Sequence, residues 1–187
     1  MQKILWKLIF KMKEIELKIL NINKNNIIKK LLKLGAKKFP QNLVIERHFD
    51  FEDQRIKNNK QLFRLRKLGN KVELAFKDKK IKEGNFRVHE EIETTIQNFD
   101  NMEEIIKRLG LKCIKHREKK RTHFILNKVK IEIDKFPNIP TYIEIEGSKK
   151  EIEKTIKLLG FRLDQTTTMT ATEVLKYYGV NENYQKF

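Results

Sequence analysis

Along this chain the apolar positions switch between two spacings. Alternation with period two governs Leu62 to Leu68, Lys71 to Lys77, Phe86 to Thr94, Lys119 to Leu126 and Val129 to Asp134, which predicts strands covered on one face. Helical spacing governs Ile27, Ile28, Leu31 and Leu32, then Met102, Ile105, Ile106 and Leu109, then Ile152, Ile156 and Leu159. Each helical stretch follows a Glu-Ile-Glu segment and runs into Leu-Gly, so one strand-helix unit recurs three times: Glu14 to Gly35, Glu91 to Gly110 and Glu144 to Gly160. The closing glycines suit the left-handed position that follows a helix. Together these patterns predict an α+β fold, with an antiparallel sheet of about eight strands and helices packed outside it.

The strand faces are unusual in what they carry. Glu14, Glu16 and Lys18 alternate with Ile15, Leu17 and Ile19; Arg64 and Arg66 with Phe63 and Leu65. Arg87, His89, Glu91 and Glu93 share a face opposite Val88 and Ile92, and Glu132 with Asp134 and Glu144 with Glu146 repeat the arrangement. The helices cover the apolar faces. If the sheet closes, the opposite face becomes a charged interior, the inverse of a small barrel filled with aliphatic side chains. Such an interior must be wet, cross-paired or filled by a charged ligand. Carboxylates mixed with guanidiniums suit a polyanion that arrives with divalent cations.

Composition narrows the chemistry. The 187 residues hold 42 Lys+Arg against 25 Asp+Glu, a formal charge of +17, and a chain of this length supports one domain with a real core. The single cysteine, Cys113, excludes an intrachain disulfide, fits a reducing cytoplasm and reads as a small core residue. The only serine is Ser148, and no glycine-rich phosphate loop is present, so triad acyl chemistry and P-loop chemistry both lack their parts. Only nine of the basic residues are Arg, yet four of them, Arg64, Arg66, Arg87 and Arg121, fall on the charged strand faces. Arg is the residue for oriented, two-pronged phosphate contact. Residues 1–12 read as an extension, because the apolar run from Ile4 to Phe10 is broken by Lys7 and is too short to span a bilayer. Phe49 and Phe51 suit the core better than a purine pocket. His89 reads as an interior hydrogen-bonding group or base, and His48, His116 and His123 as structural or surface residues.

These residues carry a family resemblance. Glu14-Ile15-Glu16-Leu17-Lys18 resembles the E-x-E-x-K signature of the CYTH family, the triphosphate tunnel enzymes that include class IV adenylyl cyclases and thiamine triphosphatases. Leu62-Phe63-Arg64-Leu65-Arg66 resembles the family's L-R-x-R strand, Phe76-Lys77 its single-lysine strand, and Arg87 with Glu90-Glu91-Ile92-Glu93 its R-x-x-E-E-x-E hairpin. Lys119-Lys120-Arg121 with Phe124, Ile133-Asp134 and Tyr142-Ile143-Glu144-Ile145-Glu146 are similar to the three closing strands.

The resemblance implies an eight-stranded antiparallel tunnel occupying 13–180, with 181–187 as a tail. By similarity Glu14, Glu16, Asp134, Glu144 and Glu146 would hold Mg²⁺ or Mn²⁺. Lys18, Arg64, Arg66, Lys77, Arg87, Lys119 and Arg121 would grip a triphosphate, with Glu14, Glu16, Lys18 and Glu93 as the catalytic group. The substrate would be ATP, thiamine triphosphate or tripolyphosphate, the protein a monomer or homodimer with no membrane attachment. The Glu-Glu-Ile-Glu-Thr hairpin and the Lys176-Tyr177-Tyr178-Gly179 ending favour the cyclase-like branch by a small margin. Ala171 stands where the family often has an aromatic. The competing class is a noncatalytic module that binds polyphosphate or, through its +17 charge, nucleic acid without sequence preference.

Overall fold

The computed structural model describes residues 12–79 and 81–187, so the expected extension lies outside the described residues save for Met12, which opens the first strand. The chain runs β1 (Met12–Ile19), α1 (Lys24–Lys33), β2 (Lys37–Asp50), α2 (Arg55–Asn58), β3 (Leu62–Leu68), β4 (Lys71–Lys77), β5 (Ile81–Glu83), β6 (Phe86–Ile96) and α3 (Phe99–Arg108). It continues through β7 (Lys112–Leu126), β8 (Val129–Lys135), β9 (Tyr142–Glu146), α4 (Lys149–Leu158), α5 (Ala171–Tyr177) and β10 (Tyr184–Gln185). Strand order β1-β9-β8-β7-β2-β3-β4-β6 closes on itself where β1 pairs with β6, giving an eight-stranded antiparallel barrel. The short β5 adds to β6, and β10 lies parallel to β7 beside His116 and Arg117.

The recurring unit has a common physical cause. Asn23, Asn98 and Ser148 each accept a backbone N–H three residues on, from Asn26 at 3.0 Å, Asn101 at 2.9 Å and Glu151 at 3.3 Å, which satisfies one of the open donors at each helix start. At the other end Gly35, Gly110 and Gly160 take φ of 82°, 89° and 84°. There the N–H groups of Gly35 and Ala36 return to the carbonyls of Leu32 and Leu31, both at 3.0 Å, the paired closure that turns the chain out of the helix and into the next strand.

Helices α1 and α4 press Ile27, Leu31, Ile152 and Ile156 onto the outer faces of β1, β8 and β9 at Leu17, Ile131 and Ile145, all buried. A second core joins α2 and α3 to β2, β3 and β4 through Ile56, Ile106, Phe49 and Leu65. Phe49 is there with its ring 6.2 Å from that of Phe63, and Phe51 packs against the same cluster. Each of these large side chains contributes roughly 1.5–3 kcal/mol by leaving water. Cys113 corrects an expectation: it is exposed. The chain leaving α3 spends its buried position on Leu111, at 8% exposure, and Cys113 falls two residues later on the outer surface of β7. Among the described residues no helix is long and apolar enough to cross a membrane.

Candidate functional site

Closure turns one face of every barrel strand inward, and those faces hold charge at nearly every position. Cross-pairing is what makes the burial tolerable, because a buried ion without a partner is far costlier than a paired one. Three groups of contacts organise the interior.

The first surrounds Lys77. Its Nζ lies 3.1 Å from Glu14 and 2.6 Å from Glu91, and His89 Nε2 is 3.1 Å from that ammonium and 2.8 Å from Glu14. The β1–β6 register places Glu14 opposite His89, and the β4–β6 register places Lys77 opposite Glu91. Burial pushes the Glu14 carboxyl up, but the His89 hydrogen bond and the Lys77 charge outweigh it and hold it well below the ordinary range. Glu91 moves the other way, raised by burial and by neighbouring Glu14 against the pull of Lys77 and Arg64. Two adjacent carboxyls with opposed shifts mark a site able to hold charge and a proton separately.

The second group surrounds Lys18, which is 2.7 Å from Glu16 and 3.3 Å from Glu144, while Arg87 reaches Glu16 at 2.6 Å. The β1–β9 register sets Lys18 directly against Glu144. Burial opposes the Lys18 charge, and Glu144 with Glu16 more than offsets it, so its pKa is raised.

The third group runs around the rest of the interior and meets the first at Glu91. Arg121 grips Asp134 with two nitrogens, both at 2.6 Å, and also contacts Glu132. Lys119 lies 3.1 Å from Asp134 and 3.4 Å from Glu46. Arg66 donates to Glu73 at 2.6 Å and to Glu93 at 3.3 Å, and Arg64 to Glu91 at 3.3 Å. Glu146 is taken by Lys130 at 3.0 Å.

All seven residues expected to grip phosphate and all five expected to hold metal therefore belong to this interior network. The five carboxylates do not gather into one cluster. Glu16 and Glu144 meet around Lys18, Asp134 is held by Arg121 and Lys119, Glu146 pairs with Lys130, and Glu14 joins His89 and Glu91 instead. Glu93 stands with the two guanidiniums of β3. The set that fits a divalent cation most directly is Glu14, His89 and Glu91, whose ligand atoms all lie within 4.8 Å of one another. Two carboxylates and an imidazole are donors that a divalent cation can take. The Lys77 ammonium standing among them shows that the position already favours a cation.

Glu46, Glu73 and Arg117 escaped the sequence reading, and His48, read there as a structural or surface residue, is buried in the interior. Glu46 and His48 lie on β2, Glu73 on β4 and Arg117 on β7, all buried. Glu73 and Arg117 were legible by parity, two residues from Ala75 and from Lys119. Burial presses the His48 imidazole down to about 4, with Arg117 adding and Glu46 opposing.

At one end the inner face turns apolar. Leu20, Phe136 and Tyr142 continue the charged rows of β1, β8 and β9, and Val174 and Leu175 of α5 pack on them. Thr170 and Glu173 cap α5 reciprocally, at 3.1 and 2.6 Å. In the loop between β8 and β9, which lacks a glycine, Asn138 supplies the positive φ at 59°. At the other end Lys130, Glu93 and Glu146 are 38, 34 and 25% exposed, which makes it an open mouth.

A family model described as the CYTH domain matches residues 12–166. A Methanocaldococcus jannaschii protein provisionally named an adenylate cyclase is 26% identical over 146 residues, covering 78% of this chain and 83% of that one. A solved Pyrococcus horikoshii structure is 25% identical with a TM-score of 0.73, over 90% of this chain and 99% of that one. A Hippeastrum protein, 16% identical with a TM-score of 0.66 over 90% and 97% of the two chains, is described as a provisional adenylyl cyclase with a dominant triphosphatase activity.

Proposed function

The chain belongs to the CYTH domain family, and on that premise we propose that it is a divalent-metal-dependent enzyme that hydrolyses a triphosphate held inside the barrel. The observation that carries this reading is the cross-paired interior. Every residue of the proposed phosphate grip, from Lys18 and Arg87 through Arg64, Arg66 and Lys77 to Lys119 and Arg121, is held by a carboxylate that a phosphate oxygen would replace. A polyanion entering alone would displace those carboxylates and leave them uncompensated. A polyanion entering with divalent cations leaves them occupied, with Glu14, His89 and Glu91 as the first holding set and Glu16 with Glu144 as a second.

A divalent cation bound there would neutralise phosphate charge and ease deprotonation of the attacking oxygen. The chain's own contribution is orientation. Arg121, fixed at both prongs by Asp134, and Arg64 and Arg66, braced by Glu91, Glu73 and Glu93, present guanidiniums that need no reorganisation when charge moves onto a leaving phosphate.

Hydrolysis is favoured over cyclisation by the aromatics. A cyclase must hold a purine and its ribose, and Phe49 and Phe51 pack in the outer core. The interior rings of Phe136 and Tyr142 are sealed at 0% exposure under α5. The cyclase reading keeps the support of the Glu90 to Thr94 hairpin and of the M. jannaschii relative's name. The Hippeastrum protein, which shares the fold, pairs a cyclase name with triphosphatase activity.

The deciding experiment supplies tripolyphosphate, thiamine triphosphate and ATP with Mn²⁺ or Mg²⁺ and identifies products. Orthophosphate release supports the proposal, cyclic AMP with pyrophosphate moves it to the second reading, and tight binding without turnover under either metal overturns catalysis.

A further inference from the structure

The inner face of β7 is a ladder of four basic side chains, Lys115, Arg117, Lys119 and Arg121, at every second residue. Their partners run out along it. Arg121 has Asp134 and Glu132, and Lys119 has Asp134 and Glu46. Among the described residues no carboxylate pairs with Arg117 or Lys115. Arg117 is nevertheless 1% exposed. Its Nε donates to the Glu182 carbonyl at 2.5 Å and its Nη2 to Thr172 Oγ1 at 2.9 Å, and Lys115 Nζ donates to the same hydroxyl at 3.3 Å. Two cations thus converge on one neutral oxygen at the end of the barrel covered by α5. The buried Nε2 of neighbouring His48 has no hydrogen-bond partner. Glu46 stands opposite Arg117 in the β2–β7 register but is engaged by Lys119 at 3.4 Å, so the buried guanidinium has no carboxylate within ion-pair distance, an arrangement that an anion stabilises.

We infer that this end of the barrel is a second anion site, separate from the triphosphate grip, that takes a phosphate-class oxyanion through Arg117, Lys115 and the Thr172 hydroxyl. Arg117 and Lys115 lie two and four residues along β7 from Lys119, the nearest residue of the grip, roughly 7 and 13 Å of strand. Lys115 and Thr172 are half-buried, so the site is reachable from solvent beside α5 without passage through the mouth. The Thr172 hydroxyl, which accepts both cations in the structure, keeps its proton to donate to the anion. Nearby Lys57 and Lys176 add positive field, against the carboxylates of Glu182, which Lys176 pairs at 3.1 Å, and of Glu46 opposite Arg117.

The test titrates the full chain, in EDTA, with inorganic phosphate, pyrophosphate and sulfate, read by backbone amide resonances. Saturable shifts at 115–117 and 171–173 are expected, at concentrations different from those that move Arg64 and Glu91. The double variant Lys115→Met with Thr172→Val should weaken anion binding at this end about tenfold or more, the cost of lost charge-assisted hydrogen bonds. It should leave triphosphate turnover at the wild-type rate. Arg64→Gln should do the reverse, so loss of this site and loss of the catalytic reading are distinguishable. Stronger response to pyrophosphate than to orthophosphate assigns the larger ligand, and equal response including sulfate assigns a general oxyanion site. Shifts confined to the mouth, or unchanged affinity in the double variant whose spectrum shows it folded, overturn the inference.

Discussion

Lys77 shows how a single residue can both complete a site and conceal it. Its ammonium lies within 3.1 Å of both Glu14 and Glu91, so it neutralises two carboxylates that a divalent cation would otherwise hold. Lys77→Met should therefore lower the melting temperature in EDTA by leaving like charges facing each other, and Mn²⁺ should restore more stability to the variant than to the wild type. Equal Mn²⁺ shifts in the two proteins would remove Glu14 and Glu91 from the metal. Arg64→Lys keeps charge and loses the fork that reaches Glu91, and should weaken triphosphate binding by about 1–3 kcal/mol, read by calorimetry; a negligible loss would place Arg64 outside the grip. Residue types at fixed parity made Glu14, Arg64 and Arg121 visible from sequence. His89 shared their face, but its nearness to Glu14 depends on the β1–β6 register, which no local pattern encodes.

At the scale of elements, legibility followed regularity. The strand-helix units read directly from their apolar spacing and closing glycines because those signals are local; the Asn and Ser caps, equally local, went unread. Strand β2 did not read directly. Its pairing with β7 shifts register between Lys38 and Gln41, where Pro40 lies inside an irregularity of β2 itself, and again at His48 and Phe49, where the extra residue is Ile114 of β7, so neither strand alone shows a clean period-two pattern through the pair. Glu46 went unread with it, and His48, read as a structural or surface residue, was not placed in the interior. Helix α5 was hidden by its brevity, although Thr170 and Glu173 spell the reciprocal cap. Because that cap is the local anchor of an element covering the barrel end, Thr170→Ala should cost about 1 kcal/mol of global stability. Amide exchange should quicken across 171–177, ahead of the barrel strands; uniform quickening would mean that α5 unfolds only with the whole domain.

The whole molecule separates two populations of charge. Surface lysines supply most of the +17, while the interior sets cations against carboxylates in near balance, and the second population makes the fold answer to acid. His48 is neutral in the fold, its pKa carried down to about 4 by burial, whereas an unfolded histidine titrates near 6.5. The unfolded state thus binds the extra proton between those values, and stability falls as pH drops through that window, by on the order of 3 kcal/mol for this group alone. Glu46 and Glu144 are buried, and Lys119 and Lys18 are the chief charges holding their pKa values well below the ordinary range. Their contribution is complete above the unfolded carboxyl value and is lost at lower pH. Glu91 and Glu146, raised chiefly by burial, oppose that loss, since their folded forms favour the proton. Denaturant unfolding at pH 7, 5.5 and 4 should therefore show a decline that begins above the carboxylate range, and His48→Gln should flatten its upper part while leaving the lower part intact. A variant that retains the full decline between pH 6.5 and 5 would assign the acid response to the carboxylates and remove His48 from it.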